Sequence, residues 1–290
     1  MGALSTQLGS DKSRRRALLM GVVNATPDSF YQAGRSENQA AALARVDQLR
    51  AEGAEIADIG GESSRPGAAA VAPDEQIARV EPAVAHAVQG GQLQVSVDTT
   101  SPRVAERMLA IGAVLVNDVS CLADPDLARV TAKAGATLIL MHTRGALGSM
   151  AGFSDYPDDA YEDVVADVRR EWCAARDRAV AAGLPRERVW FDPGIGFGKN
   201  ARQSFELLRR LAELRDLGVP LVVGASRKSF IRAVDDAGPE ERLGGTIAAC
   251  LWCAAQGADV LRVHDVRAVR QALSVTEMLA PPRAPEAVHA

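Results

Sequence analysis

No apolar run in this 290-residue chain approaches the roughly 18 residues that a membrane-spanning helix needs. An excess of positive charge is also missing. Lys and Arg number 33 against 37 Asp and Glu, so a broad polyanion-binding surface is excluded and any anion site must be local. Cysteine is scarce, with four in all. Cys121 and Cys173 stand alone. Cys250-Leu-Trp-Cys253 is a CxxC, but it lies in an apolar helical stretch without a second pair, so it reads as core thiols in a reducing compartment. No secretory signal is spelled at the start. Met1 to Arg16 is polar and ends in Arg14-Arg15-Arg16, and the apolar stretch Leu18 to Val23 is too short for a signal. The expectation is a frayed tail over 1–17, a cytoplasmic protein and a second disordered tail, rich in Pro and Ala, over 280–290.

What the chain does have is 47% hydrophobic residues, ample for a large core, and a rhythm. Eight times a short apolar run ends in a polar residue. The runs are Val22-Val23-Asn24, Ile56-Ala57-Asp58, Val95-Ser96-Val97-Asp98, Leu115-Val116-Asn117, Ile139-Leu140-Met141-His142, Val189-Trp190-Phe191-Asp192, Val222-Val223-Gly224-Ala225-Ser226 and Leu261-Arg262-Val263-His264. A strand buried in a parallel sheet reads as such a run. Helical segments are expected between them, at Asn38 to Glu52, Pro73 to Val88, Pro102 to Ile111, Pro125 to Lys133, Ala160 to Ala182, Gln203 to Leu217, Glu240 to Gln256 and Val266 to Leu279. Several open with Pro in the first turn, and several end at Gly: Gly53, Gly112, Gly135, Gly183, Gly218 and Gly257. Eight βα units predict α/β class, a single (β/α)8 TIM barrel over 18–279, with no room for a second domain. Longer connections follow strands one (Asn24 to Arg35), two (Glu62 to Val71) and five (Thr143 to Pro157). Such loops lie at the strand C-ends, where barrels keep their chemistry and close over ligands.

Three polar stops, Asp98, Asn117 and Asp192, would converge on one mouth. Two carboxylates and an amide suit a neutral heterocycle rich in N–H donors, because a carboxylate accepts two parallel N–H bonds from a guanidine-like edge. The competing reading is that each Asp caps the following helix, as Asp98 would for Thr99 to Arg103. A cationic set, Arg65, Lys199, Arg227, Lys228 and Arg262 with His264, sits at or past strand ends and reads as an anion site. The competing reading for each is a solvated charge or an ion pair with a neighbouring carboxylate. Arg262 and His264 flank Val263 and point the same way. The helix starting near Val266 adds its N-terminal dipole. Lys228 has a stem that can lie on a flat ring, Ser226 can bind a carboxylate, and Phe197 and Pro66 can wall a small aromatic partner. The amide of Asn24 can hold Mg²⁺, or simply form a turn before Thr26-Pro27. His142 reads as a structural, hydrogen-bonded histidine, and Met141 as the lining of an apolar pocket. No Ser-His or Cys-His dyad is evident.

These residues spell motifs. They are Gly21-Val-Val-Asn24-Ala-Thr-Pro-Asp-Ser-Phe30, Asp58-Ile-Gly-Gly-Glu-Ser-Ser-Arg65-Pro-Gly67, Ser96-Val-Asp98-Thr, Val116-Asn117-Asp118, Leu140-Met141-His142-Thr-Arg-Gly145, Asp192-Pro-Gly-Ile-Gly-Phe197-Gly-Lys199, Gly224-Ala-Ser226-Arg227-Lys228-Ser-Phe230 and Arg262-Val-His264-Asp-Val266. In this order, over about Leu18 to Leu279, they resemble the dihydropteroate synthase family, the folate-pathway enzymes inhibited by sulfonamides. The resemblance implies condensation of 6-hydroxymethyl-7,8-dihydropterin diphosphate with p-aminobenzoate, releasing diphosphate. It implies that Asp98, Asn117 and Asp192 hold the pterin with Lys228 over its face. It implies Arg65, Arg262 and His264 on the diphosphate, Mg²⁺ at Asn24, and Ser64, Pro66, Phe197, Ser226 and Lys228 at the p-aminobenzoate. Lys228, Arg65, Arg262 and His264 would carry catalysis. Met141 and Lys199 complete the substrate-binding set. A homodimer is implied as well. The chain departs from the family pattern at Tyr31, Gln32 and Ala33, where Ser-Asp-Gly is usual. It departs mildly at Ser64, where Thr is common, and at Thr143, where Met is often found. The first-loop change motivates the alternative of a non-catalytic pterin-binding paralogue.

Overall fold

The computed structural model describes residues 16–26, 35–63, 69–145 and 156–280. All eight apolar runs form strands: β1 (Leu18–Asn24), β2 (Ile56–Gly60), β3 (Gln94–Asp98), β4 (Leu115–Asp118), β5 (Thr137–Met141), β6 (Val189–Asp192), β7 (Val222–Val223) and β8 (Val260–Val263). They lie in the order β6-β5-β4-β3-β2-β1-β8-β7, and every pair in it is parallel. One parallel bridge between Phe191 and Leu221 joins β6 to β7. Beside it the Phe191 N–H donates to Pro220 O at 2.9 Å. That seam brings the sheet round into the expected TIM barrel.

Between the strands run α1 (Arg35–Glu52), α2 (Pro73–Gly90), α3 (Pro102–Ala110), α4 (Asp126–Lys133), α5 (Val164–Ala181), α6 (Ala201–Arg209), α7 (Leu243–Ala255) and α8 (Val266–Leu279). The six expected helix-ending glycines all have positive φ. Several boundaries differ from the sequence reading; α1, expected from Asn38, begins at Arg35. The helix expected from Ala160 begins at Val164, because the Asp163 carboxylate caps it by accepting from Val165 N at 2.9 Å and Ala166 N at 3.2 Å. The one expected from Gln203 begins earlier, at Ala201, under a capping box between Asn200 and Gln203. It also stops at Arg209, and a 3-10 helix covers Leu211–Leu217. Pro239–Glu241 is likewise a separate 3-10 turn before α7.

Side chains alternate across each strand, and this sorts the core into two shells. Outward-facing residues such as Leu19, Val23, Ile59, Val97, Val116, Leu140, Phe191, Val223 and Leu261 join the helices in one large cluster. There Trp172 of α5 meets Phe191 at 4.6 Å between ring centres and donates to Leu140 O at 2.8 Å. Inward-facing Met20, Ile56, Leu115, Ile139, Trp190, Val222 and Val260 form a second cluster inside the cylinder. Each such burial stabilises the fold by about 1.5–3 kcal/mol. One pleat further on, two residues later in sequence, the inward positions are Val22, Asp58, Asn117, Met141, Asp192, Gly224 and Arg262. The barrel thus has an apolar plug with a largely polar layer directly above it, at the strand C-ends.

Cys250 and Cys253 are buried free thiols on α7. Burial pushes the Cys250 thiol up to about 12. No group of three or more His, Cys, Asp or Glu among the described residues is placed to hold a metal. No described helix is long and apolar enough to cross a membrane.

Candidate active site

The polar layer is held by one carboxylate that sequence reasoning gave no role. Asp58 is fully buried. Its Oδ2 accepts from Asn117 Nδ2 at 3.0 Å and from Arg262 Nε at 2.6 Å. Arg262 Nη2 then donates to Asp98 Oδ2 at 2.8 Å. Residues up to 204 positions apart are joined by one guanidinium. The signal for Asp58 was present, since it follows the plug residue Ile56 by two as Asn117 follows Leu115. Asp192 Oδ1 accepts from Gly194 N at 2.7 Å. A Cβ added at Gly224 would stand 3.9 Å from Arg262 Cβ and 4.0 Å from Asp192 Oδ2. Asp192 and Arg262 therefore flank the same opening. The capping alternative fails for Asp98, because α3 is capped by Ser101, whose hydroxyl accepts from Val104 N.

Burial, then the negative charge of Asp58, pushes the Asp98 carboxyl up to about 7 against the pull of Arg262. Burial also raises Asp192. Burial, then the neighbouring Arg262, pulls Lys228 down to about 7. Arg262 stays protonated: burial opposes its charge, but Asp58 and Asp98 outweigh that. The opening is a low-dielectric bowl in which carboxylates accept N–H bonds strongly.

One wall is apolar. Met141 packs with Val119 and Phe197 in a small cluster of its own. Lys228 Nζ lies 3.8 Å from the centre of the Phe197 ring. Across the bowl lies a hydrogen-bonded Ser-His pair that was not evident in the sequence. Ser226 Oγ lies 3.0 Å from His264 Nδ1 and accepts from the His264 main-chain N–H at 3.2 Å. Burial, then Arg262 and Arg227, lowers His264 to about 4, so it is neutral near pH 7 and works as a donor rather than a cation.

The expected cationic set divides. Arg227 is taken by Asp265, at 2.8 Å, and by Glu240. Its φ of 57° sets the turn between Ser226 and Lys228. Arg262 is committed to Asp58 and Asp98. Lys199 is not at the opening. It is fully buried, and its Nζ donates to Phe197 O at 2.9 Å, Gly194 O at 3.0 Å and His142 Nδ1 at 3.0 Å. His142 is the structural histidine expected, with Nε2 2.9 Å from Glu171 Oε2. Burial, then Lys199, lowers His142 to about 4, so Nε2 carries the single ring proton and donates it to Glu171. Arg144 closes this chain, with Nε 2.9 Å from Glu171 Oε2 and its guanidinium 3.8 Å above the Tyr161 ring. The sequence gave Glu171 no signal, since it lies on a helix among other charges.

Asn24 ends β1 exposed at the rim. Ser64, Arg65 and Pro66, and the divergent Tyr31, Gln32 and Ala33, lie outside the described residues.

Fold and bowl together define a TIM barrel that gathers carboxylates, an amide and a guanidinium at its strand C-ends. A family model described as "Pterin binding enzyme" matches residues 20–264. The dihydropteroate synthase of Escherichia coli (strain K12) is 39% identical over 89% of this chain and 90% of its own length. A solved Xanthomonas albilineans dihydropteroate synthase with 4-aminobenzoic acid superposes with a TM-score of 0.84, at 41% identity, covering 92% of this chain and 94% of that one. Another from the same organism, in complex with 7,8-dihydropteroate, gives 0.81 at 38% identity, covering 92% and 95%. The chain belongs to the pterin-binding enzyme family, within the dihydropteroate synthases.

Proposed function

We propose that this protein is a dihydropteroate synthase, a transferase that condenses 6-hydroxymethyl-7,8-dihydropterin diphosphate with p-aminobenzoate to give 7,8-dihydropteroate and diphosphate. The observation that carries this reading is the convergence of Asp98, Asn117, Asp192 and Lys228 on one opening, in a chain about 40% identical to synthases, two of them solved with 4-aminobenzoic acid and with 7,8-dihydropteroate. The bond from the pterin methylene to the diphosphate oxygen breaks. A bond to the arylamine nitrogen forms, and that nitrogen gives up one proton. Asp98 and Asp192 accept N–H bonds from the pterin edge, Asn117 adds an amide, and Lys228 lies across the ring beside Phe197. Met141 packs under it. His264, as a neutral N–H donor, and Arg65 take the departing diphosphate. Arg262 keeps Asp58 and Asp98 aligned and adds positive potential. Ser226, with Ser64 and Pro66, receives the p-aminobenzoate. The arylamine is neutral near pH 7, so no strong base is required and catalysis rests on orientation and charge.

The rim suits Mg²⁺. Asn24 offers one exposed amide oxygen, and no described acidic cluster competes for the ion, which fits a metal held mainly by substrate oxygens and water. When bound it supplies charge neutralisation on the leaving diphosphate.

The reading includes a single barrel domain over 18–279, a cytoplasmic location and a homodimer. Four unpaired thiols support the location. The dimer is supported by α7, which carries no charged residue yet buries only Thr246, Cys250 and Cys253, leaving Leu243 and Trp252 exposed at 38% and 47%. Light scattering on Trp252→Glu tests it: a mass unchanged from wild type overturns this interface. Turnover by purified protein with Mg²⁺ and both substrates tests the activity. Pterin diphosphate bound without dihydropteroate formed overturns it in favour of a non-catalytic binder.

A further inference from the structure

Lys199 is the one buried lysine among the described residues that the proposed chemistry does not use. It closes the segment Asp192-Pro-Gly-Ile-Gly-Phe-Gly-Lys199 around itself. Gly194, Gly196 and Gly198 have φ of 67°, 78° and 59°. At Gly194 this is obligatory on two counts, since a Cβ there would also lie 1.9 Å from His142 O. Three left-handed glycines in alternation turn the carbonyls of Gly194 and Phe197 inward, where the ammonium meets them at 3.0 and 2.9 Å. A further contact at 3.4 Å to His142 O ties the loop to the end of β5. Tyr161 Oη donates to Gly198 O at 2.8 Å from the other side. The side chains between the glycines part ways. Ile195 sinks into the helix-facing core, and Phe197 turns to the bowl.

We infer that Lys199 is a positioning residue, which acts through its own loop to fix the Phe197 ring as the wall of the arylamine subsite. It is not a ligand for the substrate's anion. The ammonium draws three carbonyls from two strand ends into one place, and one of the three is that of Phe197 itself. The His142–Glu171–Arg144 chain holds the ammonium in turn. His142 Nδ1 can only accept, because its one ring proton is on Nε2 toward Glu171. This role rests on the proposed arylamine chemistry, but the loop geometry does not.

The test uses the full chain with Lys199→Met, Tyr161→Phe, Phe197→Ala and the double variant Lys199→Met/Phe197→Ala. Lys199→Met is expected to raise the KM for p-aminobenzoate by about tenfold or more, with the Kd for pterin diphosphate changed less than about threefold. Tyr161→Phe is expected to move the same KM by about threefold. If Lys199 acts through Phe197, it adds less than about twofold on the Phe197→Ala background. Amide hydrogen exchange over 194–198 is expected to quicken in both Lys199→Met and Tyr161→Phe without any substrate. Matching losses of pterin diphosphate affinity, or effects that multiply fully in the double variant, make Lys199 a direct ligand and overturn the inference. Unaltered exchange in the loop also overturns it. Should Lys199→Met fail to fold, Tyr161→Phe decides alone, and an unchanged KM for p-aminobenzoate is then the refuting result. A wild-type protein that makes no dihydropteroate removes the proposed function, while the exchange data still decide the loop.

Discussion

Asp58→Asn removes one charge from the floor of the bowl and keeps the side chain's size. In the folded protein that carboxylate takes the 2.6 Å bond from Arg262 and the 3.0 Å bond from Asn117. Stripping one partner from a buried ion pair costs about 3–5 kcal/mol. Here Arg262 keeps Asp98 and is 22% exposed, so about 2 kcal/mol is the expected loss, or a Tm lower by about 3–4 °C. The second effect is electrostatic. Asp58 and Asp98 bind neighbouring nitrogens of one guanidinium, which sets them on the order of 6 Å apart. At an effective dielectric constant near 20 their repulsion is about 2–3 kcal/mol, or roughly two pH units of the upward push on Asp98. Asp98, raised to about 7, stabilises the fold fully below the ordinary carboxylate range and loses that contribution as pH rises through 7. Removing the charge of Asp58 lowers Asp98 and moves that loss to lower pH. Gripping the pterin edge needs Asp98 ionised. The acidic limb of kcat/KM for pterin diphosphate, followed from about pH 5 to 9, is therefore expected to move down by at least about one unit. A limb that stays or rises, or a melting temperature equal to wild type, refutes the reasoning.

Three further changes separate parts of the site. Gly224→Val places methyl groups between Arg262 and Asp192, and pterin diphosphate affinity measured by calorimetry is expected to fall at least about 100-fold with little change in Tm. Ser226→Ala removes the partner of His264 Nδ1; kcat/KM should fall about tenfold while chemical denaturation shows a stability loss of about 1 kcal/mol. Asn24→Ala, at an exposed rim position, is expected to raise the Mg²⁺ needed for half-maximal rate by about tenfold with an unchanged melt; a flat Mg²⁺ response would leave Asn24 without its metal role.

The strands and their chemical ends were legible because a buried parallel strand has only one pattern to write. The alternation that puts Ile56, Leu115, Trp190 and Val260 into the plug also puts Asp58, Asn117, Asp192 and Arg262 into the layer above. Asp98 and Asp192 were found because they stop such runs. Partnership was harder to read. Asp58 stops a run just as plainly, but its bonds to residues 59 and 204 positions away depend on how the sheet closes. Ser226 and His264, 38 residues apart, meet only because β7 pairs with β8. Lys199, read as a member of the anion site, lies away from the opening because its direction is set by the φ of three glycines, and composition does not reveal that an ammonium turns back under its own loop. Arg227 fell to the reading weighed against it, an ion pair with a nearby carboxylate.

The inner apolar cluster has a consequence for traffic. With Met20, Ile56, Leu115, Ile139, Trp190, Val222 and Val260 stopping the cylinder from below, the bowl is closed on that side among the described residues. A molecule seated on Asp98 and Asn117 lies at the blind end, and anything touching Ser226 or Phe197 lies nearer the entrance.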